Sequence, residues 1–386
     1  MSDKRVVTMI NSLAGGGAER VVTTLLNELI NECECYLIVL ENIIEYEIDN
    51  RVKIISLNES VKQNGLVKFM RLMITSYKLS KIIKKHKFKQ IASFLYRANY
   101  INILSNIFAK HNTIISERIA PSSMYIDSSL TSKISKFLIK KLYKKANLIV
   151  PVSIAIKHDL QNSFGIIVQQ KVIYNPYNIE KINYLSKIPL NLDIGNREKN
   201  IISVGSLNPR KNYDLLLKAF SKISHTSVKL YILGKGSEEQ NLKQLAKDLD
   251  IEKEVIFLGF DNNPYKFLSR CSIFVLSSKS EGFPNVLAEA MICGCAVIST
   301  DCLSGPREIL APNSNINFTL KDNIEMAEYG ILTPINDSEN LAKAINLMIE
   351  DKNLMDNYGK KAVLRAKDFD IKNIITEYKK VLICAE

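Results

Sequence analysis

Short apolar runs alternate along the chain with longer stretches in which apolar residues recur every three or four positions. "RVVTMI" (5–10), "YLIVL" (36–40), "KIISL" (53–57), "QIASFL" (90–95), "NTIIS" (112–116) and "NLIVPVS" (147–153) have the length and β-branched content of strands. Helical periods lie between several of them, as in Val21, Val22, Leu25, Leu26 and Leu29. The pattern restarts near residue 200. "NIISVGSL" predicts a strand and 213–223 a helix, then 228–236 a strand and 238–250 a helix. Further strands are predicted at 255–260, 272–278 and 295–300, and "GILTPIND" (330–337) leads into a helix over 338–351. Alternation of this kind predicts parallel, doubly wound sheets. Two α/β domains follow: an N-terminal one over 1–178 and a C-terminal one over 179–370. The linker is expected in the irregular, polar stretch 174–200, and the helix at about 371–386 is apolar enough to pack back on the first domain.

A length of 386 residues agrees with two cores, and 46% hydrophobic with 24% charged residues is a globular composition. No apolar run approaches the roughly 18 residues of a membrane span, and the N-terminus lacks the pattern of a signal peptide. Seven scattered Cys without a C-x-x-C pair, and only four His, argue against a structural zinc site and for reduced thiols in a cytoplasmic compartment.

The +12 formal charge is unevenly distributed. Residues 1–180 hold 25 Lys and Arg against 14 Asp and Glu, while the remainder has 27 against 26. Residues 61–90 contain nine basic side chains and 131–150 contain six, both without an acid. In the first stretch Lys68, Arg71, Lys78, Lys81, Lys84, Lys85 and Lys89 interleave with Leu66, Phe69, Met70, Leu72, Met73, Ile74, Leu79, Ile82 and Ile83. In the second, Ile134, Phe137, Leu138 and Leu142 lie among Lys136, Lys140, Lys141, Lys144 and Lys145. Both read as basic amphipathic helices suited to an anionic membrane surface, or to a diphosphate on a lipid. A solvated helix face is the plainer alternative. No motif supports nucleic-acid binding.

Candidate chemistry gathers at predicted strand ends, where helix N-termini offer free N–H groups. Gly15, Gly16 and Gly17 follow the first strand and can bring backbone amides close to an anion, although Glu19 would repel a phosphate. In "VGSLNPRKNYD" (204–214), Arg210 and Lys211 stand at the mouth of a helix, where guanidinium and ammonium groups can hold a phosphate. In "SKSEGFPNVLAEAMICG" (278–294), Pro284 opens a helix whose first amides, near Asn285 and Val286, suit a diphosphate. Glu289, deeper in that helix, is placed to accept hydrogen bonds from a diol such as ribose. Glu281, on the preceding loop, suits another hydroxyl or the positive charge that develops on a reacting sugar.

The segment "SEGFPNVLAEAMICGCAVISTDCLSGPREIL" resembles the C-terminal signature of the retaining GT-B glycosyltransferases of family four, two glutamates eight apart around a Gly-Phe-Pro turn. The resemblance extends through "GGGAERV", "ISERIAPS", "VSIAIKHDL", "VIYNPYN", "VGSLNPRKN" and "LGKGSEEQNLKQLAKDL". It implies two Rossmann-like domains facing across a cleft, with a nucleotide-sugar donor held by the second. It further implies that Glu289 binds the ribose, Glu281 the donor sugar, Asn285, Val286 and Leu287 the diphosphate through N–H groups, and Lys211 a phosphate. The family's usual Arg five residues before that Lys is here Ser206, with Arg210 as the substitute. None of His86, His111, His158 or His225 falls in the motif where relatives carry a His, which leaves Glu117 and Arg118 of "SERIAP" as candidates there. The resemblance also implies retention by leaving-group-assisted, front-face attack, for which no protein base is expected. Helix N-termini and cations offset the leaving charge, so no metal or other cofactor is expected. "STDCLSGPREIL" resembles the version in transferases of UDP-N-acetylhexosamines, notably N-acetylgalactosamine, with Ser304 and Gly305 against the donor.

The expected protein is thus a UDP-sugar glycosyltransferase, peripheral on the inner leaflet of the plasma membrane, with a polyprenyl diphosphate-linked saccharide acceptor. A UDP-sugar 2-epimerase on a similar scaffold, or a non-catalytic sugar-nucleotide or membrane-binding protein, are the alternatives.

Overall fold

The computed structural model describes residues 4–59, 67, 70–190, 192, 194–223 and 227–383. Of the residues singled out above, Leu66, Lys68, Phe69 and His225 lie outside that set. The chain divides into two units. The first comprises Met1–Pro176 with Lys372–Glu386, the second Tyr177–Ile371.

In the first unit, β1 (Arg5–Ile10), β2 (Glu34–Val39), β3 (Lys53–Ser56), β4 (Gln90–Phe94), β5 (Asn112–Glu117) and β6 (Leu148–Pro151) form one sheet in the order β3-β2-β1-β4-β5-β6. Every pairing is parallel. Parallel strands are covered on both faces by crossover helices, which is why the inner strands read as unbroken apolar runs. β1 is buried from Val6 to Ile10, whereas the edge strand β3 is not buried at any position. The helix Gly17–Leu29 lays Val21, Val22, Leu25, Leu26 and Leu29 on this sheet. The helix Ile371–Leu382 adds Ile374, Tyr378, Val381 and Leu382 to the same core. Burying such side chains contributes about 1.5–3 kcal/mol each. The pairs Lys379–Glu32 (2.6 Å) and Lys171–Glu377 (2.7 Å) are partly exposed surface pairs worth about 1 kcal/mol at most, so apolar burial holds this helix in place.

In the second unit, β7 (Asn200–Val204), β8 (Lys229–Leu233), β9 (Val255–Gly259), β10 (Ile273–Leu276), β11 (Ala296–Thr300), β12 (Glu325–Met326) and β13 (Ile331–Thr333) are ordered β12-β13-β11-β10-β7-β8-β9. All pairings are parallel except β12 with β13. The order reverses at β7/β10 here and at β1/β4 in the first unit. Doubly wound sheets open a crevice outside the strand ends at such a switch point.

Some expectations are revised. The stretch 174–200 is not wholly irregular, since it holds the helix Ile179–Ser186 and the single turn Arg197–Lys199. The Asn178 side chain caps that helix by accepting from the Lys181 N–H at 2.8 Å, and Ile182 is its one buried residue. The strand expected over 228–236 stops at Leu233 because the next residues approach the loop after β7. A Cβ on Gly234 would collide with the Gly205 carbonyl. The basic helix spans Leu72–His86 and buries Leu72, Leu79 and Ile83, while Met70, Met73, Ile74 and Tyr77 are exposed. In the helix Leu130–Leu142, Ile139 and Leu142 are buried and Phe137 is exposed.

Candidate active site

Three loops of the second unit meet beyond the carboxyl ends of β7, β10 and β11. The β7 loop carries Arg210 and Lys211, and the β10 loop carries Ser277 to Pro284. They are stitched together by the Lys279 N–H donating to the Arg210 carbonyl (2.8 Å) and the Ser277 hydroxyl donating to the Lys211 carbonyl (2.9 Å). Both cations turn onto one carboxylate. Lys211 Nζ lies 2.7 Å from Glu281 Oε1, and Arg210 Nη1 lies 3.2 Å from Oε2 and 2.8 Å from the Ser280 carbonyl. The Ser278 hydroxyl donates to Oε1 at 2.6 Å. Glu281 is buried, Lys211 nearly so, and the Arg210 side chain is more than a third exposed.

Burial by itself would raise the Glu281 carboxyl. The Lys211 ammonium, the Arg210 guanidinium and the Ser278 hydroxyl outweigh it and hold the group below the usual range. Glu281 is therefore an anion at neutral pH and is excluded as a general acid there. Two cations against one carboxylate leave a surplus positive charge at the strand ends, which suits an anionic ligand.

The helix after this loop runs Asn285–Ile292, with Pro284 as its N-cap in extended conformation. The Leu287 N–H donates to the Pro284 carbonyl at 3.1 Å. The tightened first turn takes up the Leu287 N–H in this way. The Val286 N–H has no acceptor among the described residues. The Asn285 side chain accepts from the Tyr177 hydroxyl at 2.8 Å, and Phe283 packs edge-on against Phe369 with ring centroids 5.2 Å apart. Both contacts fix the entry to the helix. Glu289 is buried in the second turn and accepts from the Tyr265 hydroxyl at 3.3 Å.

The β11 loop closes over Glu281 from the other side. Ser304 and Gly305 both have positive φ, +64° and +90°. The Ser304 hydroxyl donates to the Glu281 carbonyl and so clamps that loop. A Cβ on Gly305 would lie 2.5 Å from Pro284 Cδ, so only glycine lets the two loops touch. Behind them Arg307 holds Asp301 (2.6 Å) and Glu325 (2.9 Å), and the Leu320 N–H donates to Asp301 at 2.7 Å. This buried network braces the loop and left no signal in the sequence. Ser206 is exposed on the β7 loop.

The first-unit candidates are placed differently. Glu117 is buried, accepting from the Tyr143 hydroxyl (2.7 Å) and the Arg118 N–H (2.9 Å). Burial pushes its carboxyl up to about 7 against those hydrogen bonds. Arg118 is buried too. It donates to Asn175 and reaches the Tyr378 hydroxyl at 3.4 Å, tying the C-terminal helix to β5. Both side chains are thus engaged in contacts within the first unit. In the Gly15–Gly17 loop a Cβ on Gly16 would collide with the Glu19 carboxylate, so an acid lies beside this glycine. Burial raises the Glu19 carboxyl, opposed by its own backbone N–H and by Arg118.

Two doubly wound domains, with cations, a buried carboxylate pair and a helix N-terminus at the second switch point, define a glycosyltransferase of the GT-B class. The chain belongs to the glycosyl transferases group 1, whose family model matches residues 187–365. It is 36% identical over 97% of its length, and 98% of the relative's, to the N-acetylgalactosamine-N,N'-diacetylbacillosaminyl-diphospho-undecaprenol 4-alpha-N-acetylgalactosaminyltransferase of Campylobacter jejuni. A second protein of that organism, the GalNAc-alpha-(1->4)-GalNAc-alpha-(1->3)-diNAcBac-PP-undecaprenol alpha-1,4-N-acetyl-D-galactosaminyltransferase, is 27% identical over 98% of both chains. The fold matches that of Anabaena HepE, solved in complex with UDP, with a TM-score of 0.78 at 20% identity over 98% of this chain and 99% of that one.

Proposed function

We propose that this glycosyltransferase moves an N-acetylhexosamine, such as N-acetylgalactosamine, from its UDP derivative to a polyprenyl diphosphate-linked saccharide, with retention at the anomeric carbon. The observation that carries the reading is the convergence of Arg210 and Lys211 on Glu281 beside the Asn285–Ile292 helix. Lys211, Arg210 and the Val286 N–H bind the diphosphate, Glu289 the ribose, and Glu281 the donor sugar. The bond from C1 to the diphosphate oxygen breaks with its electron pair leaving on UDP. The acceptor hydroxyl attacks the same face and passes its proton to the departing phosphate oxygen. The cations hold that charge as it develops. The two Campylobacter relatives are named for N-acetylgalactosaminyl transfer to undecaprenol diphosphate saccharides, and HepE was solved with UDP, which supports the choice of donor and acceptor.

The test is thermal stabilisation by a panel of nucleotides. UDP and UDP-N-acetylhexosamines should raise the melting temperature by several degrees, since a ligand at a hundred times its Kd adds about 2.7 kcal/mol. ADP and GDP should not. Stabilisation by ADP or GDP alone, or no shift with UDP at millimolar concentration, refutes the donor assignment.

The acceptor's lipid requires a membrane surface, and the helix Leu72–His86 supplies a matching face. Met70, Met73, Ile74 and Tyr77 make an exposed apolar patch at helical spacing, continued by exposed Lys81, Lys84 and Lys85. Among the described residues no helix is long and apolar enough to cross a membrane. Each lysine near an anionic leaflet adds about 1 kcal/mol. The triple change Lys81→Glu, Lys84→Glu, Lys85→Glu should therefore reduce co-sedimentation with phosphatidylglycerol vesicles by about 100-fold or more. Undiminished binding of the triple variant counts against this face.

A further inference from the structure

We propose that Tyr265 is a positioning residue for Glu289 and thereby sets the preference for a ribose-bearing nucleotide. The inference rests on the ribose reading of Glu289. Glutamate has three side-chain torsions, and a buried carboxylate selects for a diol only if its oxygens are aimed beforehand. The Tyr265 hydroxyl donates to Oε1 at 3.3 Å and so biases the rotation of the carboxylate.

The platform under Tyr265 is fastened on several sides. Its helix, Tyr265–Leu268, starts at Pro264, whose carbonyl accepts from the Phe267 and Leu268 N–H groups at 3.1 and 3.0 Å. Before it, Asn263 Nδ2 donates to the Leu185 carbonyl at 2.9 Å. After it, the Ser269 hydroxyl donates to the Ser186 carbonyl at 2.9 Å. Lys266 pairs with Asp261 at 2.7 Å and lies over the Phe267 ring. A phenol on so constrained a turn has little freedom of its own, and that rigidity passes to the carboxylate it touches.

Titration of Tyr265→Phe and Glu289→Ala with UDP, 2′-deoxy-UDP and 3′-deoxy-UDP tests this. Loss of one orienting hydrogen bond should weaken UDP binding about three- to tenfold in Tyr265→Phe. Binding of the deoxy analogues should stay within twofold, so that the preference for ribose shrinks. In turnover, KM for the donor should rise while kcat at saturation is retained. A generally disturbed fold would weaken all three nucleotides alike, and that outcome overturns the proposal, as does a wild-type preference in Tyr265→Phe. Glu289→Ala separates the two levels. If it too keeps the wild-type preference, the ribose reading itself falls. If it loses the preference while Tyr265→Phe keeps it, only the role of Tyr265 falls.

Discussion

Replacing Lys211 by methionine is expected to lower kcat about 10²–10³-fold, the usual effect of removing one fixed group aimed at charge that develops in a transition state. Methionine keeps most of the aliphatic stem and removes only the ammonium. The phosphate oxygens gain charge as the sugar bond breaks, so the loss should fall more on kcat than on donor KM. The same change strips Glu281 of its nearer cation. Removing one partner of a buried pair costs about 3–5 kcal/mol when nothing else satisfies the charge. Here Arg210 and Ser278 still reach the carboxylate, so the cost should be smaller. Its pH dependence identifies its origin. Glu281 in the native protein lies below its ordinary range, so it contributes stability above that range which is lost on acidification. Without Lys211 its proton affinity rises, and the deficit in melting temperature should be larger at pH 7 than at pH 4. A kcat within threefold of wild type would remove Lys211 from the leaving-group site.

Replacing Glu289 by alanine is expected to lower kcat/KM by at least 10²-fold while the protein stays folded. Hydrogen bonds to a charged group are worth about 1.5–3 kcal/mol each, and a ribose diol makes two. Stability should change little. Alanine is the better helix former, and removal of a buried carboxylate relieves its desolvation, offsetting the lost contact with Tyr265. Electrostatics supplies a second readout. An acid near the diphosphate site repels phosphate, so the variant should bind inorganic pyrophosphate at least as well as wild type while binding UDP poorly. Equal losses for both ligands would mean that Glu289 supports the helix and does not meet the ribose.

Strand–helix alternation was legible because period-two and period-3.6 patterns are local properties of the backbone, reported residue by residue. The same holds for the helix after Pro284 and for the eight-residue interval between Glu281 and Glu289, which lie on one loop and one helix. The restart near residue 200 likewise announced a second sheet. None of this reaches across the sheet. Arg210 and Lys211 meet Glu281 some seventy residues away because β7 lies directly beside β10, with β8 and β9 on its other side. Strand order is set by how whole elements pack, so no local pattern discloses that the two loops are neighbours. Tyr265 on Glu289, Ser304 on the Glu281 loop and Arg307 on Asp301 were hidden for the same reason.

Burial explains the rest. Glu117 and Arg118 look like free charges in "SERIAP", yet both are buried and bonded inside the first unit, Arg118 against Tyr378 of the last helix. By itself the sequence determined the two doubly wound sheets and the chemical types gathered at their ends. Only the tertiary structure decided which charges face one another and which are consumed inside, because pairing and desolvation depend on distances that the chain sets by folding and not by spacing.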